Sequence, residues 1–200
     1  MKTTLLIISL FLFGNFNLIT QENQINLTDD EYAILSSILG DSSVIVNETI
    51  PMKIVTGNKE KNLTKARGGV LDIFHLREIM PEISDEAVND FNAKNEKGHS
   101  LESLFTLNDK YILIERGEAF EIHTSRREEL LKKWEIFGQK YPKSDGFVRF
   151  SRVGFSSDNK QAIIYFTRYC GVTCASGEFL FFIKEKDKWI KKGKSLLWSS

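Results

Sequence analysis

Between residue 147 and residue 200 the chain carries four successive runs of strand-forming residues: FVRFSRVGF, QAIIYFTRY, GEFLFFIKE and KWIKKGKSLLW. Aromatic and β-branched side chains dominate them, and short turn-forming stretches separate them. A meander of this length needs cover for its apolar side chains, so the upstream residues are read first as what covers it. In the first run Val148 and Phe150 share one face while Val153 and Phe155 share the other. A one-residue change of phase moves every following side chain across the sheet, so it predicts a bulge near residues 151–152. In the second run Ala162, Ile164 and Phe166 alternate with Ile163, Tyr165 and Tyr169. Both faces are therefore apolar, as in a central strand covered on both sides. Phe179, Phe181 and Ile183 oppose Leu180 and Phe182 in the same way, Lys186–Asp187–Lys188 makes the last hairpin turn, and the final strand carries Trp189 and Trp198.

The upstream residues read as short helices and loops. Thr28 and Glu31 form a T-x-x-E capping box, with Leu27 and Tyr32 at hydrophobic-staple positions. Leu35, Ile38 and Leu39 make the apolar stripe, and Gly40 ends the helix. Short β-prone runs follow at 44–46 and 52–55, then a charged loop at 58–69. Asp72 caps a helix over 73–80 that Pro81 stops, and Ser84 caps one over 85–94 with Ile83 and Val88 as its staple. Residues 111–115 read as a strand and 118–122 as a single helical turn. Ser125 and Glu128 open a helix to about Gly138, with Leu130, Leu131, Trp134 and Phe137 on the face expected to lie across the sheet. The expected fold is α+β: an antiparallel sheet of four to six strands, centred on about 110–200, with short helices on one side. A cystatin-like or NTF2-like layout is compatible with this order.

The first twenty residues have the form of an export signal. Lys2 precedes an apolar run over 5–13 (LLIISLFLF), and Asn15 and Asn17 interrupt it before it reaches transmembrane length. Cleavage is expected near Thr20, although Leu18 is larger than the residue usual two positions earlier. With no cysteine near residue 20, a lipoprotein anchor is excluded. Residues 21–200 then form one globular domain with no transmembrane segment, exported to the periplasm or the medium. Lys plus Arg and Asp plus Glu number 27 each; removing Lys2 leaves 26 against 27, about −1. No global field steers such a chain toward nucleic acid or an anionic membrane.

The two cysteines, Cys170 and Cys174, stand in CGVTC. In an exported chain this close pair favours a disulfide that staples a loop, worth about 2 kcal/mol in the loop-entropy picture. The alternatives are free thiols and redox or metal chemistry. A thioredoxin-type role asks for C-x-x-C opening a helix, and zinc asks for two further ligands.

G-x-S-x-G, H-E-x-x-H, Walker A and G-x-G-x-x-G motifs are absent from the sequence, and no cofactor is implied. Two H-x-x-E pairs, His75/Glu78 and His99/Glu102, have metal-site spacing but are common by chance in a charged chain, and no metal site is read from them. Acidic clusters at 29–31, 85–86 and 128–129 sit at helix starts, where the dipole accounts for them. Six lysines between 184 and 194 read as edge-strand protection in preference to an anion-binding patch. Arg152, Arg168, Tyr165, Tyr169 and Glu178 are the polar residues in or beside the sheet. Arg152, Tyr165 and Glu178 are the candidates for a sheet–helix cleft, against strand decoration and a structural Arg–Glu pair. Three N-x-S/T sequons (Asn26, Asn47, Asn62) matter only where the source glycosylates them.

The terminal segment also resembles a group of uncharacterised secreted proteins typical of Bacteroidetes-like bacteria. Those sequences pair an S-x-V-G-F strand with a Gln-Ala strand, then a Lys-rich hairpin with G-x-W, then a closing Trp-x-Ser. The matching positions are Ser151, Val153, Gly154, Phe155, Gln161, Ala162, Gly177, Trp189, Trp198 and Ser200; Lys188 departs, standing where a Gly-Lys turn is usual. The resemblance covers roughly residues 110–200, implies export and a single domain, and carries no activity. The functional expectation is a non-catalytic exported module that binds a protein or envelope component. The alternatives are a scattered-site hydrolase built on Arg152, Tyr165 and Glu178, and thiol–disulfide exchange at Cys170 and Cys174.

Overall fold

The meander folds as its alternation requires, in a computed structural model that describes residues 26–40, 43–56, 71–107, 110–123 and 127–200. The stretch expected to be an export signal and the loop at 58–69 lie outside the described residues, as do the side chains of Asp72 and Ser125 that were expected to cap helices. Strands β5 (Phe147–Phe150), β6 (Gly154–Phe155), β7 (Gln161–Gly171), β8 (Cys174–Glu185) and β9 (Lys188–Ser199) are joined antiparallel. The chain slips between β5 and β6 as the phase change demands. Phe150 to Gly154 is four steps, whereas their partners Phe166 to Ile163 are three steps apart, so one residue is extra. The Ser151 hydroxyl accepts from the Tyr165 N–H at 2.9 Å and closes the gap. At the β8–β9 turn Lys186 (φ 46°) and Asp187 (φ 63°) both have positive φ, the pattern of a type I′ hairpin.

The sheet differs from the expectation in three ways. It has seven strands in the order β4–β1–β5–β7–β8–β9, with β6 also on β7, and a separate pair β2 (Ile54–Val55) and β3 (Leu71–Asp72) lies beside it. It is mixed: β1 (Val44–Val46) runs parallel to both β4 (Ile112–Ile114) and β5. It therefore reaches upstream of residue 110. The reason is that VIV is apolar on both faces, which suits a strand inserted inside a sheet and buried on both sides.

The third difference is that helices cover both faces. On one face α1 (Asp29–Ile38) packs Ile34 and Leu35 against Phe150, Ala162, Ile164, Phe166, Leu180 and Phe182. On the other face α2 (Ile73–Ile79) and α3 (Asp85–Lys94) bring Leu76, Val88 and Phe91 onto Ile163, Tyr165, Phe179 and Phe181. Farther along that second face, α4 (Arg116–His123) and α5 (Arg127–Lys140) place Ile122 and Phe137 over Val44, Val46 and Phe147. Each fully buried Phe, Ile or Leu contributes about 1.5–3 kcal/mol, so two covered faces are a larger source of stability than one. The α3 backbone comes so close to β6 that a Cβ on Gly154 would run into the Ala87 carbonyl and Phe91; glycine is required there.

The caps that lie in described residues form as read. Thr28 and Glu31 make both arms of the capping box, and the Ser84 hydroxyl accepts from the Ala87 N–H. The single turn expected at 118–122 is longer, the eight-residue α4. Among the described residues no helix is long and apolar enough to cross a membrane.

Candidate functional site

Arg152, Tyr165 and Glu178 do not meet. Arg152 sits in the bulge on the α1 face with its side chain 3% exposed, and its partner is Glu31, fully buried. Arg152 donates from Nε to Glu31 Oε1 at 3.1 Å and from a terminal nitrogen to Oε2 at 2.8 Å. The carboxylate also accepts from the Val153 N–H at 3.2 Å and, through its capping-box role, from the Thr28 N–H at 2.9 Å. Asn95 accepts from the Arg152 N–H and donates to the Arg152 and Phe91 carbonyls. A buried bidentate ion pair whose carboxylate also accepts two backbone N–H groups is a structural node. Glu178 alternates with Leu180 and Phe182, so it faces the same side, and lies 3.6 Å from Lys194 near the open edge. Tyr165 lies on the other face among Ile163, Phe179 and Phe181. The expected structural Arg–Glu pair therefore exists, with Glu31 rather than Glu178 as its acid.

The other sequence candidates resolve as follows. Cys170 and Cys174 are joined in a disulfide across the β7–β8 turn, with Cα atoms 5.0 Å apart. That matches the staple and leaves no free thiol for the redox alternative in the oxidised form. His75 and Glu78 are 3.5 Å apart but exposed, and no cluster of three metal-ligating side chains occurs among the described residues. Burial and the nearby Arg152 guanidinium hold the His99 imidazole below its usual pKa. The lysines of the last hairpin do not form one patch: Lys184 pairs with Asp30, Lys192 with Glu185 and Lys194 with Glu178. Arg168 pairs with Asp145 at the surface.

What the fold assembles instead is an aromatic row on the α3–α5 face. Helix α5 presents Trp134, which stacks on Phe147 of β5 with centroids 5.8 Å apart and planes 13° from parallel. Phe147 stacks on Tyr169 of β7 at 4.9 Å and 19°. Tyr169 meets Trp198 of β9 at 6.0 Å, tilted by 48°. Alternation and register explain the order: Phe147 pairs with Tyr169, and in the adjacent row Arg149, Thr167, Gly177 and Trp198 lie across four strands. The row borders a groove of about 250 Å³ lined by Ile122, Leu130, Trp134, Phe147, Tyr169 and Trp198, with the stapled turn at its rim. Trp134, Tyr169 and Trp198 are all half-buried, so each keeps surface that a ligand can reach.

Comparison with protein-family models, curated proteins and solved structures finds no match for this chain.

Beside the groove the polar groups are arranged unusually. Trp198 donates its indole N–H to the Tyr165 hydroxyl at 2.7 Å. The two close over Gly177, where any Cβ would collide with both. Burial pushes the Tyr165 phenol up to about 12 and raises Tyr169 as well, so both stay protonated at neutral pH. The charge of Arg149 works against that rise at both phenols. Its Nε is buried with no hydrogen-bond partner among the described residues. Burial lowers the Arg149 pKa; Tyr169, Glu48 and Tyr165 work against that, while Arg116 adds to it. Glu48 is engaged by Arg116 at 2.9 Å. In the sequence, the signal for Arg149 is a lone charge inside FVRF on the side that also carries Phe147.

Proposed function

We propose that this chain is an exported, non-catalytic binding module of the cell envelope or medium, and that its ligand surface is the groove bordered by Trp134, Phe147, Tyr169 and Trp198. The aromatic row carries this reading. Four rings from one helix and three strands border one hollow, and half-buried Trp and Tyr give large contact area at low entropic cost. The hollow lies just under the ~300–1,000 Å³ typical of small-molecule sites, which suits a small ligand or one projecting group of a larger one. The hydrolase alternative asks Arg152, Tyr165 and Glu178 to share a cleft. Arg152 and Glu178 lie on the opposite face of the sheet from Tyr165, so binding is the reading preferred here. The export signal, the stapled Cys170–Cys174 pair and the resemblance to secreted proteins support the location.

The test is capture by the immobilised, oxidised chain from the envelope and medium of its own source, alongside Trp134→Ala and Trp198→Phe variants checked for folding by circular dichroism. The expected result is retention by the native chain and its loss in Trp134→Ala. Retention that Trp134→Ala leaves intact removes the groove from the account.

A further inference from the structure

We propose that the β4 edge of the sheet receives an acidic, extended segment of a partner protein, added as a further strand and held by Lys110 and Lys143. This second surface shares no lining residue with the aromatic groove and is independent of it.

The two edges of the sheet are built differently. At one edge Lys188, Lys191, Lys192 and Lys194 stand along β9, the usual protection against pairing with another chain. At the other, β4 consists of Ile112, Leu113 and Ile114 and carries no charge. The Ile112 N–H donates to the Ser43 carbonyl at 3.0 Å, and the Ile114 carbonyl accepts from the Asn47 N–H at 2.8 Å, so both groups face β1. Backbone groups alternate along a strand, so the Leu113 N–H and C=O point away from β1. Among the described residues β4 pairs with β1 alone, which leaves the Leu113 groups open to an added strand. Ile112, 44% exposed beside them, offers that strand an apolar contact.

The surroundings of this edge select an acidic partner. A hollow of about 640 Å³ opens at the start of β4, where Lys110, Tyr111, Ile112, Lys140, Tyr141 and Lys143 line it and no carboxylate does. The fold accounts for Lys140, which closes the last turn of α5, where a cation suits the dipole, and pairs with Glu118 at 2.8 Å. The nearby carboxylates are engaged: Glu118 also accepts from the Tyr141 hydroxyl at 3.0 Å, Asp145 pairs with Arg168, and Glu115 accepts from Asn47 at 2.9 Å. Lys110 and Lys143 enter no ion pair among the described residues. Two uncompensated ammonium groups, one at the head of β4 and one past the end of α5, suit two carboxylates spaced along one chain. Side chains at alternate positions of a strand point to one face about 7 Å apart, which supplies such a spacing. A lone phosphate in the hollow would leave the open Leu113 groups without a role.

The experiment is titration of the isotope-labelled, oxidised full chain at low salt with the capped peptide Glu-Val-Glu-Val-Glu, followed by amide chemical shifts and hydrogen exchange. Its lysine-for-glutamate counterpart and inorganic phosphate are parallel arms. Saturable binding of the acidic peptide is expected, weakening as salt rises, with the Leu113 amide shifted and protected from exchange. Methylating the backbone nitrogens of the glutamates alone, or of the valines alone, is expected to abolish binding in one set and spare it in the other, because alternate N–H groups face the strand. Lys110→Gln/Lys143→Gln is expected to weaken binding about two- to thirty-fold, the range for losing two exposed ion pairs. Binding that leaves Leu113 exchange unchanged, or that tolerates both methylated sets, overturns strand addition. Equal binding of the lysine peptide, or an unchanged affinity in the double variant, overturns the charge selection. Failure of the acidic peptide to bind overturns the proposal, and phosphate binding that displaces the peptide does so by reassigning the hollow to a small anion.

Discussion

Arg149 lies in β5 and Arg152 three residues on, in the bulge that follows, and the sheet sends them to opposite faces. Arg152 enters the α1 face and finds Glu31 within 3.1 Å, with Asn95 securing the backbone around it. Arg149 enters the α3–α5 face, loses water at Nε and meets no acceptor among the described residues. The same side chain thus holds the fold together in one place and leaves a buried Nε without a partner among the described residues in the other. The difference lies in burial and partners: a buried cation completed by its own chain is architecture, whereas Arg149 stays half-buried and no ion pair ties it down among the described residues.

The largest expected effect comes from breaking the completed side. Glu31→Leu leaves the Arg152 guanidinium buried without its acid and removes one arm of the capping box. Denaturant unfolding is expected to lose about 3–5 kcal/mol. The double variant Glu31→Leu/Arg152→Met is expected to recover a large part of that, because replacing both charges removes the orphan. Equal losses in the single and double variants would show that the pair is not coupled.

A smaller effect is expected on the open side from Gly177→Ala. The new methyl meets the Trp198 indole and the Tyr165 hydroxyl, so the pair must part. A cost of about 1–3 kcal/mol is expected, with a shift in Trp198 fluorescence as the indole loses its acceptor. An unchanged spectrum and midpoint would mean that the contact over Gly177 is loose.

The smallest effect concerns pH. His99 is held below its ordinary value of 6.5, first by burial and then by the nearby Arg152 charge. Its folded pKa is depressed, so the unfolded chain binds the proton more readily. The stability it contributes is fully present above 6.5 and is lost as pH falls through the lower folded value. His99→Gln is expected to flatten the decline in melting temperature just below pH 6.5. A decline of unchanged steepness assigns it to other groups.

Much of the fold was legible because its causes are local. The capping box at Thr28 and Glu31, the phase change at Ser151–Arg152 and the disulfide turn each need only a few neighbouring residues to specify them. The parallel insertion of β1 was not legible, because three residues, VIV, say that both faces are buried but not which strands lie beside them. The placement of α1 opposite the other helices was hidden for the same reason: an apolar stripe does not name the sheet face it covers. Glu31 could be read as a capping residue, yet its second role depends on Arg152, 121 residues away. At the site, Tyr165 and Tyr169 were among the polar candidates, while Trp134, Phe147 and Trp198 were read only as apolar strand or helix residues. The aromatic row joins Trp134, Phe147, Tyr169 and Trp198 through strand register, and alternation within one strand carries no information about register across four.

The most direct test of the contrast between the two arginines is a side-by-side thermal melt of Arg149→Met and Arg152→Met against the native chain. Arg152→Met is expected to lower the midpoint by about 6–20 °C, following the loss expected from breaking a buried pair in a domain of this size. Arg149→Met is expected to leave the midpoint unchanged or raise it, since it breaks no ion pair and removes a buried Nε that has no hydrogen-bond partner among the described residues. A fall for Arg149→Met comparable to that for Arg152→Met would contradict the account, because it would mean that both arginines hold the fold.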